Sequence, residues 1–387
     1  MNQKPALLLL SGLPLERKPS FLRQLDSLGA AMRERGWIVY LGGPVFSGYG
    51  SQNGAAARGT PSAWGGEAAF RIRWSLADSI GHPREFAEVL SRTDPEAVIA
   101  LGYPDQFPFL RGEVQATRPP CYLWAQFSRT PKRALPEAAT YVPLTEKTAA
   151  HLHAAGCSRI DPVIPHGVDT RLFSPLPETQ RSRLGAEHGP ADTFVVGTVA
   201  NNSRRKRLDL IIRSFALFCR QHPHSRLLIK TDRPVSLDGV DLPALIAGEQ
   251  VEDRVRLILQ ESTDSQMAAL YKRMDLYINL SEWEGFCIPV IEAMACAVPV
   301  VSPPIQGPGE ILPYTDTLVP NGTFRREEGV ELYQADPPAV CRVVKAVAED
   351  RSLRARLSRE GREAALSRYD LQRVAERWER ALLMTRG

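Results

Sequence analysis

Short unbroken apolar runs alternate with amphipathic stretches along the chain, and this spacing predicts strands and helices in turn. Ala6 to Leu10, Trp37 to Leu41, Ala97 to Leu101, Cys121 to Ala125 and Tyr141 to Leu144 read as strands in the first half. A strand covered on both faces shows a continuous apolar run, as parallel sheets require. Ser20 to Gly36 carries Phe21, Leu25, Leu28 and Met32 at helical spacing, with Ser20 placed to cap and Gly36 to stop the helix. Further helices are expected around Arg84 to Leu90 and over Glu146 to Ala155, and Asp161 to Ile164 closes this half. In the second half, Phe194 to Val199, Leu227 to Lys230, Val255 to Leu259, Leu276 to Leu280 and Val298 to Val301 are the strand candidates. Leu208 to Arg220, Ser265 to Arg273, Pro289 to about Cys296 and Pro337 to Asp350 are the helix candidates. Leu353 to Met384 is helical throughout, with a break at Tyr369-Asp370, and Gly322 to Gly329 reads as loop. Strand and helix in alternation define an α/β protein built on parallel sheets.

Two stretches lack periodicity. Gly42 to Gly66 is rich in Gly, Ser and Ala and is too long for an ordinary connection, so it reads as a binding loop or a flexible excursion. Its Gly42-Gly43-Pro44 opens no helix at the spacing of a dinucleotide fingerprint. Glu178 to Pro190 is polar and reads as a hinge. The division expected is 1–175, 176–365 and a terminal helix over 366–387.

Composition narrows the class. A chain of 387 residues, 43% hydrophobic and 24% charged, is ordinary for globular protein of two or three domains. A formal net charge of +4 is too small to argue for nucleic acid, and the dense basic run is Arg204-Arg205-Lys206-Arg207. The six cysteines are scattered without a Cys-x-x-Cys pair, and the seven histidines show no metal spacing, so buried thiols are expected rather than disulfides or zinc. The apolar run near the start is too short to span a bilayer and is broken by Gly12 and Pro14, so it reads as a first strand rather than a signal. The expectation is a cytoplasmic protein, with peripheral contact at the inner membrane face left open.

Candidate chemistry concentrates between Asp275 and Leu312. Glu284 follows the Leu276 to Leu280 run on a loop, and Glu292, eight residues on, is expected in the first turn of the next helix, so both carboxylates can reach one crevice. Between them, Gly285 and the backbone N–H groups of Phe286, Cys287 and Ile288 lie at the helix start, where the dipole and unbonded donors attract an anion. A carboxylate accepts hydrogen bonds and repels phosphate, so acids flanking a phosphate cradle make sense where they hold hydroxyls. Sugar and phosphate together mean a nucleotide sugar.

Glu284-Gly285-Phe286, Pro289, Glu292-Ala293-Met294-Ala295, Pro299-Val300-Val301 and the Gly-x-x-Glu of Gly307 to Glu310 resemble the donor-site signature of retaining GT-B glycosyltransferases, family 4 in particular. A second hallmark is Ile164-Pro165-His166-Gly167-Val168-Asp169-Thr170, followed by Phe173 and Pro175. There Pro165 and Gly167 suit a tight turn and Asp169 can bond nearby backbone; His166 suits a structural role better than a catalytic one.

The resemblance implies two Rossmann-like, doubly wound domains facing a cleft, the last helix crossing back to the first. It assigns Glu284 to the transferred sugar and Glu292 to the ribose. Lys206 and an arginine, either Arg204 or Arg205, fall to the diphosphate, and Gly12 to the turn that lets backbone approach the phosphates. At Gln126 the family often carries a histidine against the sugar, and glutamine cannot be protonated. Thr231-Asp232-Arg233 replaces a glycine-rich turn common in the family.

The activity that the resemblance implies is that of a retaining hexosyltransferase, moving a sugar from a UDP- or GDP-linked donor to a hydroxyl of a glycan, lipid-linked or small-molecule acceptor. The leaving phosphate serves as base, and no metal or other cofactor is required, since the chain has no Asp-x-Asp. Rival readings are a catalytically weak sugar-nucleotide-binding protein, motivated by Gln126 and by the missing glycine turn near Lys230, and a GT-B sugar-nucleotide epimerase or phosphorylase.

Overall fold

The computed structural model describes residues 4–12, 20–45, 69–73, 83–103, 106–107, 119–127, 135, 139–176, 193–327 and 329–384. Most of the Gly42 to Gly66 stretch and the Glu178 to Pro190 hinge lie outside them. Two compact units emerge, one of residues 1–167 with 371–387, the other of residues 168–370.

The first unit holds a six-stranded, all-parallel sheet of β1 (Ala6–Ser11), β2 (Ile38–Val45), β3 (Ala69–Arg73), β4 (Ala97–Gly102), β5 (Cys121–Ala125) and β6 (Ala139–Pro143), in the order β3-β2-β1-β4-β5-β6. Its helices are α1 (Ser20–Glu34), α2 (Pro83–Thr93) and α3 (Glu146–Ala154). Strands β1, β4 and β5 are buried along their whole length, which is why they read as continuous apolar runs. Strand β3 was not expected, because Ala-Phe-Arg-Ile-Arg at a sheet edge offers no apolar run. Asp161 and Ile164 donate backbone bonds to Tyr141 and Pro143 at 2.8 and 3.0 Å, so this segment runs beside β6 without becoming a strand.

The second unit repeats the plan with five parallel strands. These are β7 (Phe194–Val199), β8 (Ser225–Lys230), β9 (Val255–Ile258), β10 (Leu276–Ile278) and β11 (Val300–Val301), in the order β11-β10-β7-β8-β9. A basic 3-10 turn (Arg204–Lys206) precedes α4 (Leu208–Cys219); then come α5 (Leu242–Gly248), α6 (Asp264–Tyr271), α7 (Ile288–Ala295) and α8 (Pro308–Ile311). The segment expected to be loop after Gly322 is instead an antiparallel ribbon, β12 (Thr323–Glu327) and β13 (Val330–Gln334). Every residue of β12 is exposed, so it has no apolar face for the hydrophobic pattern to reveal. Helices α9 (Pro337–Glu349) and α10 (Arg351–Ala364) follow, then a π turn over Ala365–Tyr369.

The chain breaks at Asp370 and continues as α11 (Leu371–Met384) in the first unit. Trp378 of α11 is fully buried, edge-on to Trp124 and Tyr122 with ring centroids 5.4 and 6.1 Å away. Glu379 accepts from Arg35 at 2.9 Å and from the Trp37 indole at 3.2 Å. Gly167 is a close-approach position, since a β-carbon there would press on the Leu371 backbone. All six cysteines are free, and all but Cys157 are buried. No helix among the described residues is long and apolar enough to cross a membrane.

His166 is buried, its ring edge-on to Trp124 at 4.7 Å. Burial pushes its pKa down from 6.5 to about 3. The neutral ring therefore stabilises the fold above pH 6.5, and that contribution drains away as pH falls toward 3. Chemical unfolding followed by tryptophan fluorescence should lose about 2 kcal/mol from this source between pH 7 and pH 5. His166→Leu should remove that slope; an unchanged slope in the variant would assign the acid sensitivity elsewhere.

Candidate active site

Strands β7 and β10 are parallel neighbours, with Leu276 beside Val196 and Tyr277 beside Gly197. They also mark where the strand order reverses, and in open α/β sheets ligands bind beyond the carboxyl ends of strands at such a point. The loop leaving β7 carries the basic turn, and the loop leaving β10 carries Glu284. Residues 78 positions apart therefore meet.

Glu284 is only 5% exposed. Lys206 Nζ donates to its Oε1 at 2.5 Å, and Arg205 pairs with its Oε2 at 2.9 Å. Burial opposes ionisation of this carboxyl, and the adjacent Lys206 and Arg205 charges override it, holding the pKa at about 2. Arg205 also donates to the Trp283 carbonyl at 3.0 Å and lies 4.6 Å over the Trp283 ring. Between the candidate arginines the geometry is plain. Arg205 joins the carboxylate, while Arg204 is exposed and its backbone N–H donates to the Asp238 carbonyl.

Glu292 lies in α7, past the first turn where the sequence pattern put it, because the helix begins at Ile288. It is buried, and the Tyr271 hydroxyl of α6 donates to it at 2.8 Å. Phe286 is buried edge-on to Tyr369 at 6.1 Å. Cys287 is the N-cap of α7 in the left-handed region at φ 82, and burial, reinforced by Glu284, pushes its thiol up to about 12. It is thus a protonated packing group. Gly307, at φ +80, lets its turn approach the Phe286 carbonyl, where a β-carbon would collide. Arg362 of α10 donates to the Ala295 carbonyl at 2.6 Å, closing the far end of α7, and to the Phe173 and Thr170 carbonyls at 3.0 and 3.1 Å.

Gly12 and Gln126 belong to the first unit. Gly12 follows β1, buried, its N–H donating to the Leu101 carbonyl at 3.0 Å. Gln126 is half-buried just beyond β5. As expected, Asp169 bonds nearby backbone, accepting from the Arg171 N–H at 2.9 Å.

Three residues of the second unit escaped sequence reasoning. Tyr271 positions Glu292. Glu282, 5% exposed, pairs with Arg207 at 2.9 Å and with Arg325 at 3.3 Å. Buried Asn202 donates to the Val240 carbonyl at 2.7 Å and accepts from its N–H at 3.0 Å. Its own N–H donates to Asp232 at 2.7 Å, so side-chain bonds order the segment where Thr231-Asp232-Arg233 stands in place of a glycine-rich turn. A lone Asn or Tyr leaves no periodic signal; Glu282 could have been suspected as a second acid two residues before Glu284.

The whole chain superposes on solved two-unit structures of the GT-B type. Sucrose-phosphate synthase from Thermosynechococcus elongatus aligns over 99% of both chains with a TM-score of 0.73 at 17% identity. HepE from Anabaena, solved in complex with UDP-glucose, aligns over 98% of this chain and 99% of its own with a TM-score of 0.72 at 16% identity. At these identities the likeness establishes the fold, which is GT-B with the terminal helix returned to the first unit.

Residues 180–364 match the family described as Glycosyl transferases group 1, and the match falls within the second unit. Among curated relatives, D-inositol 3-phosphate glycosyltransferase of Kineococcus radiotolerans is 33% identical over 153 residues, 38% of this chain and 34% of its own length. The lipopolysaccharide core biosynthesis mannosyltransferase LpsB of Rhizobium meliloti is 28% identical over 217 residues, 56% of this chain and 57% of its own length. The chain thus spans between a third and just over half of these relatives.

Because the Glu284 pKa is lowered from 4.5 to about 2, its ionised form stabilises the fold above pH 4.5 and the contribution is lost as pH falls toward 2. The full effect is about 3 kcal/mol. Glu284→Gln should be less stable than the wild type at pH 6, and the gap should narrow steadily below pH 4.5. A gap constant from pH 6 to pH 3 would mean the carboxylate is not held this way.

Proposed function

We propose that the protein is a retaining glycosyltransferase that moves a hexosyl group from a UDP-linked sugar to a hydroxyl acceptor. The observation that carries this reading is the Arg205–Lys206–Glu284 cluster at the strand-order reversal of a Glycosyl transferases group 1 unit. Two cations share one carboxylate, which leaves the cluster with net positive charge for an incoming diphosphate. Lysine has three donors and arginine five, so both can hold Glu284 and still donate to phosphate oxygens. The amides at the start of α7 add their dipole on the same side. Glu292, oriented by Tyr271, takes the ribose hydroxyls; Glu284 takes hydroxyls of the transferred sugar. UDP is favoured over GDP because the structural neighbour HepE was solved with UDP-glucose.

In the reaction, the bond from the anomeric carbon to the phosphate oxygen breaks while the acceptor oxygen bonds the same carbon from the same face. The acceptor's proton passes to the leaving phosphate. Charge grows on the diphosphate as it departs, and Lys206 and Arg205, already fixed, stabilise it without reorganising. The curated relatives' names point to different acceptors, so this reading places the acceptor no more finely than a hydroxyl compound.

Gln126, standing where the family resemblance expects histidine, favours a second reading, a protein that binds nucleotide sugar with little or no transfer. Thermal unfolding with UDP, GDP, ADP and dTDP, and with their sugar conjugates, separates the cases. UDP should raise the melting temperature by mass action, and Lys206→Ala should abolish the shift. Glu292→Ala should weaken UDP binding. Glu284→Ala should keep it and slow donor turnover by about 100-fold. Stabilisation without transfer or donor hydrolysis would support the binding protein, and no stabilisation by any nucleotide would overturn both readings.

A further inference from the structure

Arg207 adopts φ 49, ψ 45 as the N-cap of α4, in the left-handed region that side chains other than glycine rarely occupy. Its side chain explains why. The guanidinium is mostly buried and bonds both Asp209 oxygens at 3.0 and 2.9 Å, while a further nitrogen reaches Glu282 Oε1 at 2.9 Å. Glu282 lies two residues before Glu284. Its backbone ties extend the connection, since its N–H donates to the Arg205 carbonyl at 2.8 Å and its carbonyl accepts from the Tyr333 N–H of β13 at 2.9 Å. Arg325 of β12 reaches the same carboxylate at 3.3 Å. One residue thus joins the basic turn, the loop after β10 and the β12–β13 ribbon.

We propose that Arg207 and Glu282 form a positioning clamp that holds the basic turn and the Glu284 loop in register, so that Lys206 and Arg205 meet both Glu284 and the donor diphosphate. Arg207 and Glu282 themselves touch neither sugar nor phosphate. The inference rests on the functional reading above for its catalytic consequence, but its mechanical content stands apart. Lys206 and Arg207 are adjacent, so an anchor on Arg207 fixes the direction in which Lys206 leaves the turn. A glycine at position 207 would adopt the same backbone more easily, so an arginine there serves its side-chain bonds rather than the turn.

Arg207→Gly is therefore the informative variant, because it relieves the backbone while removing the guanidinium bonds to Asp209 and Glu282. Glu282→Gln, nearly isosteric, tests the same contact from the other side. In carbon-13 NMR titration of glutamate-labelled protein, with the Glu284 signal assigned by its loss in Glu284→Gln, both variants should raise the Glu284 midpoint from about 2 toward 4.5, by about one unit or more. Both should slow donor turnover by about 10- to 100-fold, the scale expected for a small misplacement of the reacting groups. The melting temperature of Arg207→Gly should fall, because Glu282 is left buried with only Arg325, whereas Glu282→Gln, which removes the buried charge, should fall less. Arg207→Lys, which cannot bridge two carboxylates with a planar fork, should rescue only in part. A Glu284 midpoint and a turnover unchanged in Arg207→Gly and Glu282→Gln would overturn the clamp, even where UDP binding and its loss in Lys206→Ala uphold the functional reading. If the midpoint moves but no nucleotide binds the wild type, the clamp stands and the donor assignment falls.

Discussion

Glu284 is ionised where water is largely excluded, and the local structure follows from what that demands. A buried carboxylate without partners would cost several kcal/mol, so two cations must be delivered to its oxygens at hydrogen-bonding distance. They come from a turn 78 residues earlier, which requires β7 and β10 to be neighbours and the loops after both to be stiff. The stiffness has visible sources. Arg207 accepts an unfavourable backbone to grip Asp209 and Glu282, Asn202 orders the segment from Asp232 to Val240, and Gly307 admits its turn against Phe286.

Such a cluster suits catalysis better than stability. A buried ion pair contributes little net free energy compared with well-packed apolar groups, yet it supplies charges that are fixed in position. The neighbouring groups do not compete. Burial keeps Cys287 protonated, with its thiol up at about 12, and Glu292 is engaged by Tyr271. The arrangement separates two carboxylates by environment, one between cations and one beneath a tyrosine hydroxyl, and the roles proposed for them rest on that separation.

The same economy appears at the C-terminus. The break at Asp370 ends the second unit, and α11 then supplies Trp378 to an aromatic group with Trp124 and Tyr122 in the first. Arg362, ahead of the break, satisfies carbonyls at the end of α7 and at Thr170 and Phe173, backbone groups that burial would otherwise leave costly. The terminal segment therefore serves both units, each by its own contacts.

Much of this was written in the local chain. Parallel strands buried on both faces must be apolar throughout, so β1, β4 and β5 announced themselves, and helical spacing did the same for α1. The placement of Glu284 on a loop and of Glu292 in the helix that follows is likewise local, because strand, loop and helix succeed one another in sequence. Elements that bury no face stayed hidden: β12 is exposed throughout, and β3, at a sheet edge, alternates apolar residues with arginine. Which arginine joins the carboxylate, why Arg207 holds a left-handed backbone, and that Tyr271 holds Glu292 depend on residues distant in sequence meeting at one place. Periodicity reports what a residue turns toward the core; only the tertiary fold decides which charge faces which, since that depends on strand order and loop register.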